Sequence, residues 1–172
     1  GGEGSEDGQF KYPFDVDIDI SRGRVYVTDS ENHRIQVFDI NGNYISQWGK
    51  EGSGNGEFEH PIGICIDSVN ERVYVADSEN YRIQVFDLNG NYISQWGSKG
   101  SGNGEFEYPY GICVNSSRGR VYVADLINFR IQVFDMNGNY ITQFGNGEIY
   151  PYDIDIDINT GILYIPDSGN GR

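Results

Sequence analysis

Two stretches of this sequence carry a carboxylate at every second residue, Asp15, Asp17 and Asp19 in one and Asp153, Asp155 and Asp157 in the other. Alternate residues of an extended strand share a face, so each stretch would present its acids as a ladder on one surface. Carboxylates that converge in a confined space resist ionisation unless a cation or hydrogen-bond donors compensate them. Calcium, a hard ion that takes oxygen ligands, matches that chemistry, with Asp15, Asp17, Asp153 and Asp155 as its candidate ligands. Water and backbone amides can satisfy such groups as well. Beyond calcium, no residue pattern points to a cofactor.

A second pattern sets an acid, an amide and a guanidinium at fixed spacing: Asp29, Asn32 and Arg34; Asp77, Asn80 and Arg82; Asp125, Asn128 and Arg130; Asp167, Asn170 and Arg172. A carboxylate and a guanidinium so placed can pair bidentately and hold a loop. Breaking a buried pair of this kind costs about 3–5 kcal/mol. Because the motif recurs in every unit of the chain, it reads as scaffold rather than catalytic machinery. No nucleophile elbow and no Cys/His pairing accompany it, so no residue is nominated as catalytic.

The elements that must position these groups follow from an internal repeat. Pro13, Pro61, Pro109 and Pro151 recur at intervals of 48, 48 and 42 residues, the last shortened by the loss of six residues from a glycine-rich loop. In the second repeat, 62–67 (IGICID), 72–77 (RVYVAD), 82–87 (RIQVFD) and 92–96 (YISQW) are β-branched and aromatic runs bounded by turn residues, which predicts four strands. Asn41-Gly42, Asn89-Gly90 and Asn137-Gly138 mark a tight hairpin before the fourth strand. Four antiparallel strands per unit are what one propeller blade requires. The predicted fold class is therefore all-β, a β-propeller of four-stranded antiparallel blades with repeats over 1–48, 49–96, 97–144 and, in part, 145–172. About three and a half blades make an incomplete ring, and an open arc leaves strand edges and a blade face uncovered. The expectation is that further blades complete it, from a longer chain of which this is a fragment or by self-association of copies.

The Asp-Asn-Arg register, set between a VYVA-type strand and an IQVFD strand, resembles the NHL repeat over essentially the whole chain, and the WD dipeptide and the doubled glycines of kelch repeats are missing. Some relatives with NHL repeats are lyases acting on amidated peptide precursors, with channel metals held by histidine. The two histidines here are His33, in register with Tyr81 and Phe129, and His60, in register with Tyr12, Tyr108 and Tyr150. Both read as occupants of an aromatic slot, so a histidine metal site is unsupported by the sequence. A lyase would need catalytic residues outside this segment. Other relatives bind RNA through a basic face, which a net charge of −14 opposes.

With 37% hydrophobic and 14% aromatic residues the chain can build a packed core, while 26 acidic against 12 basic side chains argue against nucleic acid and anionic lipid as partners. No apolar run reaches the roughly 20 residues of a membrane-spanning helix. Cys65 and Cys113 occupy the same place in successive repeats and read as small buried hydrophobes rather than a disulfide. Asn115-Ser116-Ser117 matches the glycosylation acceptor pattern, a weak signal in a chain rich in Asn and Ser. The residues do not fix a compartment, and an extracellular or cell-surface setting is favoured.

Strand parity puts the glycine-rich loops and the Asp-Ser-x-Asn loops on one face, the Asn-Gly hairpins on the other, and the first strand of each repeat along the channel. The third repeat replaces Ser-Glu with Leu126-Ile127 near Tyr108, Tyr110, Tyr150 and Tyr152. These six residues are the candidate partner-binding patch, since aromatics with few competing charges anchor interfaces. Blade-to-blade packing is the competing reading. The expected function is a non-catalytic scaffold that binds a protein or small ligand through its loop face, with a structural or self-assembly role as the alternative.

Overall fold

The computed structural model describes residues 1–145, 147–167 and 169. Each repeat becomes an antiparallel meander because its apolar runs are separated by turns that reverse the chain. The first blade comprises β1 (Pro13–Asp19), β2 (Arg24–Asp29), β3 (Arg34–Asp39) and β4 (Tyr44–Trp48). The second has β5 (Pro61–Asp67), β6 (Arg72–Asp77), β7 (Arg82–Asp87) and β8 (Tyr92–Trp96). The third has β9 (Pro109–Asn115), β10 (Arg120–Asp125), β11 (Arg130–Phe134) and β12 (Tyr140–Phe144), and a two-stranded sheet follows from β13 (Asp155–Ile156) and β14 (Leu163–Tyr164). Among the described residues the only helical pieces are single 3-10 turns at Ser30–Asn32, Ser78–Asn80 and Ser116–Arg118.

The core lies between blades, as expected when sheets stack face to face. Tyr26, Ile35 and Val37 of the first blade meet Phe58, Ile64, Val73, Val75 and Phe86 of the second, and Tyr74, Ile83 and Val85 repeat that role against the third. The innermost strands run side by side in the order β1, β5, β9, β13. The hairpins are tight for two reasons. Asp87 accepts from the N–H groups of Asn89 and Asn91 at 2.8 and 2.9 Å. Gly90 has a φ of +86°, and a Cβ there would stand 2.5 Å from the Trp48 ring of the preceding blade, so only glycine fits.

The Asp-Asn-Arg motif departs from the bidentate pairing expected of it. Arg82 gives only its Nε to Asp77, at 2.7 Å. Its remaining donors go to the carbonyls of Ser53, Gly54 and Glu57 in the glycine-rich loop and to Gln95 Oε1, at 2.7–2.9 Å. The reason is that Asp77 is already saturated: it also accepts from Glu59 N, Asn80 Nδ2 and Gln84 Nε2. All five guanidinium N–H groups are therefore used, and the pair holds two loops rather than one. Arg34 with Asp29, and Arg130 with Asp125, repeat the arrangement at 2.7 and 2.8 Å. Asn32 and Asn128 likewise bond their own aspartate and a glycine-loop carbonyl. In the fourth repeat Asp167 accepts from Tyr150 N, while Asn170 and Arg172 lie outside the described residues. This clasp fixes the loops that frame the channel mouth.

Candidate functional site at the channel mouth

The residue after each repeat-defining proline points to the mouth: Phe14, Ile62, Tyr110 and Tyr152 line a cavity of about 210 Å³ together with Asp15, Gly63, Gly111 and Asp153. The Tyr110 ring is the hub. It meets Phe14 edge-on at 5.0 Å and 84°, and Tyr152 edge-on at 5.3 Å and 82°. Burial pushes the Tyr110 phenol up to about 12, so it stays neutral. Beneath this rim a second cavity of about 200 Å³ is lined by Asp15, Asp17, Asp153, Asp155, Cys65 and Cys113.

All four acids named as calcium candidates thus face one channel wall, and backbone donors already engage them. Asp15 accepts from Val16 N at 2.7 Å and, across the blade junction, from Ile64 N at 2.9 Å. Asp17 does the same with Ile18 N and Ile66 N at 2.7 and 2.6 Å. Asp153 and Asp155 accept from Ile154 N and Ile156 N. Burial pushes the Asp15 carboxyl up to about 6 against its two N–H donors, and the charge of Asp153 adds to the rise. Burial also raises Asp17, with a smaller contribution from Asp155.

The structure explains why the middle repeats have glycine where the outer ones have aspartate. A Cβ at Gly63 would lie 2.1 Å from the Tyr110 carbonyl oxygen, and one at Gly111 would lie 2.7 Å from the Asp153 Cα. The second and third junctions are too close for any side chain there. At the first junction Asp15 stands at this position and bridges to the next inner strand. Thr28 helps by donating to Ile62 O at 2.8 Å.

The six residues of the candidate partner patch separate into three environments. Tyr110 and Tyr152 form the mouth. Tyr108 and Tyr150 hold corresponding places beside it, the Tyr108 ring 6.1 Å from that of Tyr110 and Tyr150 edge-on to Phe129 at 4.7 Å. On the third repeat's turn, Ile127 is 52% exposed, but Leu126 is 9% exposed and lies beneath the surface rather than on it. It stands where Ser78 donates to the Pro109 carbonyl of the next repeat, a position that faces into the junction. Phe14 and Ile62 were missed as rim residues, although their register with Tyr110 and Tyr152 was the available signal.

His33 and His60 meet as a slot pair, rings 5.1 Å apart at 63°. Cys65 and Cys113 are free, and burial raises both thiols well above their ordinary range. Asn115 is buried, and its Oδ1 accepts from Arg118 N and Ser117 Oγ, so the glycosylation match is inaccessible in the folded chain. Among the described residues no helix is long and apolar enough to cross a membrane.

Comparison with known proteins agrees with this architecture. Protein lin-41 of Caenorhabditis elegans is 49% identical over 47 residues, 27% of this chain and 4% of that protein. A chain of the solved nidogen/laminin complex superposes on 92% of this chain with a TM-score of 0.74 and 21% identity. Hydrazine synthase of Kuenenia stuttgartiensis covers 88% with a TM-score of 0.69 and 15% identity. This chain spans 57% and 40% of those two solved chains. Residues 14–80 and 66–143 match the family described as 6-bladed beta-propeller, and with its stacked four-stranded meanders the chain belongs to that family.

Proposed function

We propose that this propeller is a non-catalytic binding scaffold that captures a cationic group, a lysine or arginine side chain of a partner protein or a small amine, at its channel mouth. One observation carries the reading: three aromatic residues in ring contact, Phe14, Tyr110 and Tyr152, line one cavity together with Asp15 and Asp153. Aromatic faces attract a cation while apolar walls accept its methylene stem, and the acids supply the opposite charge. A net charge of −14 would steer a basic partner toward the molecule. The resembling folds include both a hydrazine synthase and a nidogen/laminin complex, so the fold by itself does not select binding over catalysis and the site must.

Calorimetry with a lysine-rich hexapeptide and its norleucine counterpart tests this. Binding of the lysine peptide, weakened roughly tenfold or more by Tyr152→Ala and by Asp153→Asn, supports the reading. Equal affinity for the two peptides removes it. Calcium held by Asp15, Asp17, Asp153 and Asp155 is a subsidiary proposal on the same wall, and a calcium titration without heat would dismiss it.

A structural role in assembly has its own support. Val16 and Ile18 on β1 are about half exposed, whereas the counterparts of Val16, Ile64 and Ile112, are buried, as is Val114, a counterpart of Ile18. That face of the first blade is built to be covered by another blade. Sedimentation of the chain decides whether a second copy does so: a concentration-dependent dimer favours assembly, and a monomer at all concentrations opposes it.

A further inference from the structure

We propose that His33, Glu59 and His60 form a binding site for zinc, or a similar first-row transition metal, in the seam between the first and second blades. The three side chains are partly buried, come from two blades, and offer ligand atoms that all lie within 4.8 Å of one another. Zinc bound by nitrogen and oxygen at about 2.0–2.2 Å needs neighbouring ligands somewhat closer than that, a closure that side-chain rotation can supply. Two imidazoles with one carboxylate are a donor set that zinc accepts while keeping a fourth position open. Imidazole nitrogen selects against calcium, which takes oxygen.

The second junction gives a precedent for a cation in this seam. At the next junction, 48 residues on, the corresponding positions are Tyr81, Glu107 and Tyr108, and an ammonium sits among them. Lys99 Nζ lies 3.4 Å from Glu107, 3.3 Å from the Tyr81 hydroxyl and 4.7 Å from the centre of the Tyr81 ring. At the first junction the residue equivalent to Lys99 is Glu51, on the same bridge to its loop phenylalanine. So the lysine is replaced in register by a second acid, and two aromatic slot residues have become metal-binding imidazoles. Among the described residues no cation pairs with Glu59. The nearby lysines are committed elsewhere, Lys11 to Glu31 and Lys50 to Glu57, each at 3.0 Å. His33 makes one weak contact, Nδ1 accepting from His60 N at 3.4 Å.

Two variants separate a metal site from a plain aromatic slot. His33→Phe with His60→Tyr recreates the slot pair that Phe129 and Tyr150 form at the third junction, so its fold has a native precedent. Glu51→Lys returns an ammonium to the place Lys99 fills. The experiment is calorimetric titration of zinc chloride into the metal-stripped chain, with the melting temperature recorded with and without zinc. The expected result is one zinc per chain at micromolar affinity or tighter, and a melting temperature raised by the metal. Zinc binding should vanish in the double variant and weaken roughly tenfold or more in Glu51→Lys, with the metal-free melting temperatures near that of the parent. Absence of zinc heat in the parent overturns the proposal, and so does undiminished binding in the double variant. If the double variant does not fold, Glu51→Lys alone decides, and unchanged zinc affinity there overturns the site.

Discussion

Replacing Arg82 by methionine should be among the most damaging single changes this chain can suffer, although Arg82 does not line the channel mouth. The methionine keeps the apolar stem but removes five donors at once. Asp77, 0% exposed, would lose its cation, and the carbonyls of Ser53, Gly54 and Glu57 would each lose a donor, while Gly54 keeps Glu57 N and Glu57 keeps Gln84 Nε2. Burial already pushes the Asp77 carboxyl above its ordinary value, and Arg82 is one of the groups holding it down. Stranding one member of such a buried pair costs about 3–5 kcal/mol. The loop carbonyls are partly solvated and recover water, so they add little. At about 2–4 °C per kcal/mol for a chain of this size, the melting temperature should fall by roughly 6–20 °C. The assay is thermal unfolding by circular dichroism, with hydrogen exchange to localise the loss in residues 50–58. The pH dependence has a definite sign. In the variant the Asp77 pKa rises further above its unfolded value, so the folded state takes up a proton, and the deficit should shrink as pH falls from 8 toward 4. Arg82→Lys keeps the charge but cannot fork to five acceptors and should fall between the two. A drop below about 2 °C in Arg82→Met, or protection lost everywhere but that loop, would refute the clasp.

Gly63→Ala should destabilise by about 1–3 kcal/mol, read as a lower urea midpoint, because its methyl group would meet the Tyr110 carbonyl across the junction at 2.1 Å. Asp15→Asn should do the opposite at high pH. The folded Asp15 pKa of about 6 lies above the unfolded value, so its contribution is fully favourable below about pH 4 and is lost as pH rises through 6. The asparagine variant should therefore gain about 1–3 kcal/mol at pH 8 and nothing near pH 4, in urea titrations across that range. Ile127→Glu should leave the melting temperature unchanged, since the side chain is half exposed, while abolishing capture of any partner that docks on the third repeat's turn. An unfolded Ile127→Glu protein would place that residue in the core instead.

Much of the blade was legible before any coordinates. The second repeat's strands were expected at 62–67, 72–77, 82–87 and 92–96, and three of the four coincide with β6, β7 and β8, while β5 starts one residue earlier at Pro61. The reason is that a strand's apolar run and its flanking turn residues are local signals. What crosses a loop or a blade junction was not legible. Nothing near Arg82 in sequence announces that its donors reach residues 53–57, and the fully buried Gln36, Gln84 and Gln132 that complete each clasp look like ordinary polar residues within a strand. The Asp15 carboxylate was visible as a ladder rung, but its bond to Ile64 depends on the spacing between two sheets. His33 and His60 stand 27 residues apart, and only the stacking of blades makes them neighbours.

Trp48 and Trp96 occupy the same place in successive repeats, each edge-on to a tyrosine of its own blade and tilted against the central phenylalanine of the next. Each indole is thus a built-in lamp for one junction, Trp48 for the first and Trp96 for the second, with Nε1 buried and without a hydrogen-bond partner. The third repeat carries Phe144 at that position, so its junction is dark and tryptophan-to-phenylalanine exchange has a native precedent. Emission from Trp48→Phe and Trp96→Phe would report blade separation one seam at a time, and would show whether the arc opens as one body or unzips from an end.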